Sequence, residues 1–142
     1  MCGIAGKVFA DGRRPVAEDL VRRMCGAMTY RGPDDEGVYL DTPAGIGMRR
    51  LKIIDLAGGH QPMANEDQSL WIVFNGEIYN YRQLRADLEQ RGHQFSTASD
   101  TEVILHLFED EDIECFGHLQ GMFAIALWDR RCRRLVLARD RL

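Results

Sequence analysis

The sequence predicts an α/β domain in which two sheets are covered by helices. Two strand-like segments, residues 71–74 (Trp-Ile-Val-Phe) and 122–127 (Met-Phe-Ala-Ile-Ala-Leu), are apolar at every position. Such runs indicate strands that are buried on both faces. Helical patterns alternate with the strands in the order β-α-ββ-β-α-β-α-ββ. Because these helices are too few to cover both faces of one wide sheet, two sheets fit the pattern better.

Length and composition indicate one globular domain. The 142 residues are 45% hydrophobic and 28% charged, and a chain of this size buries roughly 68–70% of its unfolded surface. The net charge of −4 argues against nucleic acid or an anionic membrane surface as a partner. No apolar run approaches a membrane span of about 18 residues, and no secretory signal pattern opens the chain. We therefore expect a cytoplasmic protein.

The cysteine pattern also favours a reducing compartment. The four cysteines are scattered and form no C-x-x-C motif, which predicts free thiols; they are Cys2, Cys25, Cys115 and Cys132. The alternative is a zinc site that uses these thiols with His60, His93, His106 or His118. Only Cys115 and His118 are close in sequence, and one such pair does not make a site. We therefore predict no metal.

The first half of the chain reads as a strand, a helix and two further strands. Residues 3–9 form the first strand, and apolar side chains recur at helical spacing over residues 16–28. The polar run 31–37 contains Gly and Pro and predicts a loop. Strands are expected at 37–41 and 45–55, followed by a loop-like segment to residue 68.

The second half begins with the strand at 69–74, which is expected to end at the Asn-Gly-Glu of 75–77. Residues 80–83 resemble a capping box that opens a helix, and a short strand is expected at 94–97. Residues 99–102 (Ser-Asp-Thr-Glu) resemble a second capping box, opening another helix. A short helix and turn at 113–120, a strand at 121–128 and a returning strand at 135–139 complete the predicted order.

The second residue of the chain is a candidate nucleophile. If Met1 is removed, Cys2 carries a thiol and a free α-amine, whose pKa of about 7.7–8.0 suits a general base. Gly3 and Gly6 leave little bulk beside the thiol, so a substrate can approach the backbone. The alternative is a buried apolar cysteine that merely begins the first strand.

Other segments could carry chemistry, but each has a plain structural explanation. Residues 31–34 (Arg-Gly-Pro-Asp) could simply end a helix, and Asn75-Gly76 could form a turn. Asp100 could only complement a helix dipole, and Arg50 could be a solvated strand residue. Taken singly, none of these features identifies a function.

Together the motifs resemble a known family. Arg-Gly-Pro-Asp is followed in order by Arg-Leu-x-Ile-x-Asp (50–55), Asn-Gly-Glu-Ile-Tyr-Asn (75–80), Ser-Asp-Thr-Glu (99–102) and Leu-Gln-Gly-Met-Phe-Ala (119–124). From Met1 to Leu142 the chain resembles the glutaminase domain of class II glutamine amidotransferases, most closely that of glutamine-dependent asparagine synthetases. The resemblance implies a four-layer αββα sandwich of the N-terminal-nucleophile hydrolase type.

The resemblance also implies roles for individual residues. Cys2 would attack the side-chain amide of glutamine, with its own α-amine relaying the proton. Asn75, through its side-chain amide, and Gly76, through its backbone N–H, would form the oxyanion hole. Arg50 would hold the α-carboxylate of glutamine in a fork that lysine cannot reproduce. Asp100 would accept hydrogen bonds from the α-ammonium group.

Further residues are expected around the substrate. Arg31 would order the loop over the N-terminus, although a structural ion pair explains this arginine almost equally well. The expected pocket lining comprises Glu77 and the backbone around Leu51, Lys52, Ile53 and Ile54.

The implied activity is hydrolysis of L-glutamine to glutamate and ammonia, the ammonia being destined for asparagine synthesis in a C-terminal synthetase domain. The resemblance implies no cofactor for the glutaminase domain, with ATP and Mg²⁺ needed only by the synthetase domain, and it allows a homodimer. Relatives continue beyond the equivalent of Leu142, so we expect an incomplete domain that exposes a sheet edge. Two alternatives stay open: phosphoribosyl pyrophosphate or a sugar phosphate as the ammonia acceptor, and an inactive fragment that binds glutamine without turnover.

Overall fold

A computed structural model describes residues 2–51 and 59–141, and its strands form two antiparallel sheets. The first sheet contains β1 (Gly3–Val8), β2 (Asp35–Asp41) and β3 (Ala44–Arg50), in the spatial order β1-β3-β2. Its register pairs Gly3 with Arg49. The start of the chain therefore lies beside the end of β3, next to Arg50.

The second sheet contains four strands in sequence order. They are β4 (Met63–Ala64), β5 (Leu70–Ile78), β6 (Gly121–Asp129) and β7 (Arg134–Arg139). The β5–β6 pair runs without interruption from Leu70 opposite Asp129 to Ile78 opposite Gly121. Strand β7 lies at the edge of this sheet, where Leu137 is 70% exposed.

Helices cover the outer face of each sheet. Helix α1 (Glu18–Gly26) packs on the first sheet through Val21 and Cys25, which are fully buried. Helices α2 (Tyr81–Gln90) and α3 (Asp100–Glu111) pack on the second sheet, and a 3-10 helix (Asp112–His118) follows α3. Every residue of α3 from Asp100 to Phe108 is buried, so α3 is the central helix of this half.

The inner faces of the two sheets share a hydrophobic core. Ile46 and Met48 of β3 pack with Val73 of β5 and with Trp128 of β6. The indole Nε1 of Trp128 also donates a hydrogen bond to Asp41 Oδ2 of the first sheet, at 3.0 Å. The resulting layers are helix, sheet, sheet and helix, which confirms the predicted αββα sandwich.

The predicted strand at 94–97 is wrong. The backbone N–H groups of Ser96 and Thr97 each donate to the carboxylate of Glu102, both at 2.7 Å, and their hydroxyls do the same at 2.8 and 2.6 Å. Burial alone would raise the Glu102 pKa, but the nearby His106 ring and the hydrogen bonds from Thr97 and Ser96 outweigh it and hold the pKa at about 2. The segment therefore wraps around a buried carboxylate instead of pairing with a strand.

The two predicted capping boxes have different outcomes. Ser99 caps α3, because its side chain accepts a hydrogen bond from Thr101 N at 3.2 Å, but Glu102 binds the preceding turn and does not reach back to Ser99. The side chain of Asn80 does not cap α2. It donates to His118 O at 2.9 Å and accepts from Gln120 N at 3.0 Å, so a tertiary contact replaces the local one.

Other boundaries shift by a few residues. Helix α1 begins at Glu18, later than predicted, and β3 ends at Arg50. The remainder of the predicted strand, residues 52–55, lies outside the described residues. Within the segment predicted as a loop, Met63–Ala64 forms the short strand β4 on β5. The cysteines are free thiols, as predicted. None of the helices within 2–51 and 59–141 has the length and apolarity needed to cross a membrane.

Candidate active site

A cavity of about 530 Å³ opens where the two sheets meet the N-terminal end of α3. Its lining includes all the predicted site residues that the structure describes, and these are Cys2, Arg50, Leu51, Asn75, Gly76, Glu77 and Asp100. The other three predicted residues, Lys52, Ile53 and Ile54, lie outside the described residues. Residues far apart in sequence therefore converge on one cavity large enough for an amino-acid ligand.

The thiol of Cys2 lies at the wall of this cavity. The backbone N–H of Leu51 donates a hydrogen bond to Cys2 Sγ at 3.3 Å, and the same sulfur lies 3.7 Å from Leu51 O. Arg31 Nε donates to the backbone carbonyl of Cys2 at 3.1 Å. These contacts fix both the side chain and the main chain at the start of β1. The Arg31 contact is the one expected of a residue that orders the N-terminus.

The loop that carries Arg31 is held close to β3. A Cβ on Gly32 would lie 2.4 Å from the backbone carbonyl atoms of Arg49, so a side chain at position 32 would push the loop away. Arg49 in turn donates from Nε to Gly32 O at 2.9 Å. The glycine of the Arg-Gly-Pro-Asp motif therefore allows the close approach that brings Arg31 to Cys2.

Asn75 and Gly76 do not end a strand, contrary to the prediction. Strand β5 continues through them, with Asn75 opposite Ala124 and Gly76 opposite Phe123 of β6. A Cβ on Gly76 would lie 2.0 Å from Met122 O, so only glycine fits against β6. The turn tendency of Asn-Gly is overridden because β5 and β6 pair along their whole length. Asn75 and Gly76 therefore line the cavity as part of a paired strand.

Arg50 and Asp100 place opposite charges in the lining, and both are buried. Asp100 Oδ2 accepts a hydrogen bond from Ile78 N at 3.0 Å. Burial raises the pKa of Asp100, and this effect exceeds the lowering by the Ile78 hydrogen bond; the nearby charge of Glu77 raises the pKa further. A guanidinium and a buried carboxylate in one cavity can bind the two ends of an amino acid.

Replacing Asp100 with asparagine is expected to stabilise the protein. A carboxyl group whose pKa is raised by folding destabilises the folded protein when it is ionised. This loss of stability is absent below the ordinary pKa of 3.8, and it grows as the pH rises through the raised pKa. Asparagine keeps an acceptor for Ile78 N without the charge. At pH 7 we expect Asp100→Asn to raise the Tm by a few degrees.

Thermal melts at pH 7 and at pH 4 test this expectation, because the gain in Tm should shrink at the lower pH. A lower Tm for Asp100→Asn at pH 7 would show that the ionised carboxylate stabilises the fold and that its burial has been misjudged.

The cavity also contains residues that sequence reasoning missed. The buried amide of Gln61 accepts from Phe74 N at 2.6 Å and donates to Thr101 Oγ1 at 3.2 Å, joining β5 to α3. Asp140 Oδ2 accepts from Phe123 N at 2.8 Å, opposite Gly76. Gln61 lies in a segment that reads as a loop, and nothing in its local pattern signals a buried amide.

Comparison with known proteins identifies the family to which the chain is similar. A family model described as a glutamine amidotransferase domain matches residues 1–142. The chain is 44% identical over 143 residues to the glutamine-hydrolysing asparagine synthetase 2 of Bacillus subtilis, covering 99% of this chain and 19% of that relative. It is 38% identical over 140 residues to asparagine synthetase 2 of Oryza sativa subsp. japonica, covering 99% and 23%. The chain thus spans less than a quarter of the length of these curated relatives.

Solved structures support the fold. The glutamine phosphoribosylpyrophosphate amidotransferase from B. subtilis, complexed with ADP and GMP, aligns with a TM-score of 0.58 and 25% identity over 71% of this chain and 24% of that chain. A structure titled as the allosteric regulatory enzyme of purine biosynthesis aligns with a TM-score of 0.55 and 26% identity, with the same coverage. The predicted N-terminal-nucleophile type of sandwich is confirmed, and the chain belongs to the glutamine amidotransferase domain family.

Proposed function

We propose that this chain hydrolyses L-glutamine to glutamate and ammonia through a γ-glutamyl thioester on Cys2. The observation that carries the proposal is the shared cavity: the Cys2 thiol, the Asn75–Gly76 strand segment, Arg50 and Asp100 all line it. These groups supply, in one place, a nucleophile, candidate donors for an oxyanion and partners for both ends of an amino acid. Family membership supports the same reaction.

The reaction begins once removal of Met1 frees the α-amine of Cys2. That amine accepts the thiol proton as Sγ attacks the side-chain carbonyl carbon of glutamine. The tetrahedral oxyanion receives hydrogen bonds from the Asn75 amide and the Gly76 N–H. The C–N bond then breaks, the α-amine returns the proton to the leaving nitrogen as ammonia forms, and water hydrolyses the thioester to glutamate.

We propose that the chain selects its substrate by binding the two charged groups on the α-carbon of glutamine, the carboxylate and the ammonium. Arg50 pairs with the α-carboxylate and Asp100 with the α-ammonium, so a plain amide lacks both contacts. Both side chains are buried, with 7% and 5% of their surface exposed. An analogue lacking either substituent would lose one of these two charge-assisted contacts and should bind more weakly. We assign the rest of the lining to Glu77, Leu51, Lys52, Ile53 and Ile54.

We further propose that residues 1–142 form part of the type-2 amidotransferase domain of a larger cytoplasmic synthetase. Its ammonia would be used for ATP- and Mg²⁺-dependent formation of asparagine from aspartate in a C-terminal domain, and the glutaminase itself would need no cofactor. Identity of 44% to an asparagine synthetase, against 25% to a phosphoribosylpyrophosphate amidotransferase, favours this acceptor over phosphoribosyl pyrophosphate. A homodimer is compatible with this proposal.

Replacing Arg50 with lysine is expected to raise the KM for glutamine about tenfold or more, with a much smaller fall in kcat. The carboxylate contact is present in the ground state and in the transition state alike, so its loss is a loss of uniform binding. Steady-state kinetics of ammonia release measure the two constants separately. A fall in kcat at unchanged KM would instead place Arg50 in the chemical step.

The proposed function is tested with the purified chain and L-glutamine, measuring glutamate and ammonia together. Equal amounts of the two products are expected, with no release from L-asparagine or from a glutamine analogue that lacks the α-carboxylate. Intact mass establishes whether Met1 has been removed. If the processed chain binds glutamine in calorimetry but releases no ammonia, the hydrolase proposal is wrong for this chain and the glutamine-binding alternative is correct.

A further inference from the structure

Two histidines and a glutamate meet between α3 and the segment that follows α2, outside the proposed active site. His93 follows α2, whereas His106 and Glu109 belong to α3. The two Nδ1 atoms lie 3.2 Å apart, His106 Nδ1 lies 2.9 Å from Glu109 Oε2, and His93 Nδ1 lies 3.7 Å from the same oxygen. Three potential ligand atoms therefore form a small triangle.

The size of this triangle matches one face of a zinc coordination tetrahedron. Ligand atoms about 2.0–2.1 Å from a tetrahedral Zn²⁺ are separated from each other by about 3.3–3.4 Å. Without an ion, His106 Nδ1 has one position for a proton or a ligand, and both His93 Nδ1 and Glu109 Oε2 compete for it. A cation attracts all three atoms at once. We propose that His93, His106 and Glu109 bind a divalent transition-metal ion, with Zn²⁺ as the best fit.

The groups around the triangle direct the correct atoms inward. His93 Nε2 lies 3.0 Å from Asp110 Oδ1, which places the ring proton on Nε2 and leaves the Nδ1 lone pair facing His106. Glu109 Oε1 accepts from Asn65 Nδ2 at 2.7 Å, so Oε2 is the oxygen left for the ion. Carboxylates behind metal-binding histidines commonly orient the ring in this way.

His106 is the buried member of the triangle. Its ring is 1% exposed, and its Nε2 has no hydrogen-bond partner among the described residues. The nearest carboxylate oxygens, Glu102 Oε1 and Glu66 Oε1, each lie 3.9 Å away. A ring proton on Nε2 faces these carboxylates, which leaves the Nδ1 lone pair for the ion.

The charge of the surroundings also suits a cation. Four carboxylates approach the two rings, and they belong to Glu66, Glu102, Glu109 and Asp110. One guanidinium, that of Arg91, lies against Asp110 at 3.2 Å. The His93 and Glu109 side chains are 16% and 22% exposed, so an ion can enter from solvent and water can complete its coordination. Two imidazoles favour zinc, nickel or copper over magnesium or calcium.

The bound ion would have a structural role. The N-terminal end of α3 lines the cavity through Ser99, Asp100 and Thr101, whereas His106 and Glu109 lie roughly one and a half to two and a half turns further along the helix. The ion would join the segment after α2 to α3, and through Asn65 to the β4–β5 connection. It would therefore stabilise the helical layer without contacting the substrate.

Equilibrium binding of Zn²⁺ to residues 1–142 tests the proposal without any measurement of activity. One equivalent is expected, His93→Gln should weaken binding at least tenfold, and Mg²⁺ should not compete. His93 is chosen because it is partly exposed and lies outside the helices, and Glu109→Gln provides a second variant. His118→Gln is the matched control, since His118 is exposed and pairs with Glu111 at 2.8 Å outside the triangle.

Thermal melts and Co²⁺ spectra provide the second readout. Zn²⁺ should raise the Tm of the wild-type chain and of His118→Gln, but not that of His93→Gln. Bound Co²⁺ should show the visible spectrum of a tetrahedral site, without the near-ultraviolet band of a thiolate ligand. Equal Zn²⁺ affinity in the wild type and in His93→Gln, a thiolate band, or no binding would each overturn the proposal. Because none of these readouts depends on glutamine, failure here leaves the proposed function untouched.

Discussion

Replacing Cys2 with alanine is expected to abolish ammonia release while leaving the affinity for glutamine within a few-fold of the wild type. The thiol forms the covalent intermediate, and the proposed contacts of Arg50 and Asp100 with the substrate do not involve it. Ammonia release reports turnover, and calorimetry reports binding. Cys132→Ala is the matched control, because Cys132 is exposed and lies outside the cavity lining.

Thiol reactivity provides a second check on the same assignment. Burial raises the pKa of Cys25 and raises that of Cys115 to about 12. Both thiols are fully buried, so they should react slowly with iodoacetamide at neutral pH. Burial and the neighbouring Asp129 carboxylate also raise the pKa of Cys132. Cys2 is therefore expected to be alkylated first. Turnover by Cys2→Ala, or faster alkylation of another cysteine, would contradict the nucleophile assignment.

Replacing Asn75 with alanine is expected to lower kcat by about 10²–10³-fold, the loss seen when one oxyanion-hole donor is removed. The KM should change by no more than a few-fold, since the amide is needed mainly when the oxyanion forms. This is the opposite of the pattern expected for Arg50→Lys. Asn80→Ala is a suitable control, because its amide binds His118 O and Gln120 N outside the cavity lining.

The two kinetic patterns together test the assignment of roles. If Asn75→Ala raised KM and left kcat intact, whereas Arg50→Lys did the reverse, the binding and oxyanion roles would have to be exchanged. Equal effects of Asn75→Ala and Asn80→Ala would remove the oxyanion role altogether.

Long apolar patterns predicted the fold well because burial on both faces leaves a strong signal. The runs in β5 and β6 and the apolar stripe of α1 are all found in the structure. Sequence reasoning was wrong where a side chain binds a distant partner: Asn80 binds the end of the 3-10 helix, and Ser96 and Thr97 bind Glu102. Local propensity contains no information about such contacts.

In the candidate site, too, the motifs were informative and the long-range contacts were not predictable from the sequence. The motifs identified Cys2, Arg50, Asn75 and Asp100, and the fold brings them to one cavity, although Cys2 precedes β1 and the other three belong to β3, β5 and α3. Asn75-Gly76 was misread as the end of a strand because its turn tendency is local, whereas its pairing with β6 is not. Gln61 could not be found from sequence, because a single glutamine in a loop gives no sign that it joins β5 to α3.

The central claim is that Cys2, as the N-terminal residue, attacks a glutamine held beside Asn75 and Gly76. It is tested most directly by incubating the chain with a glutamine analogue in which an electrophilic diazoketone replaces the side-chain amide, followed by trypsin digestion and mass spectrometry. The account predicts a single adduct on the peptide of residues 2–7, lacking Met1, and protection by excess glutamine. An adduct on Cys25, Cys115 or Cys132, or labelling of Cys2 that glutamine does not prevent, would contradict it.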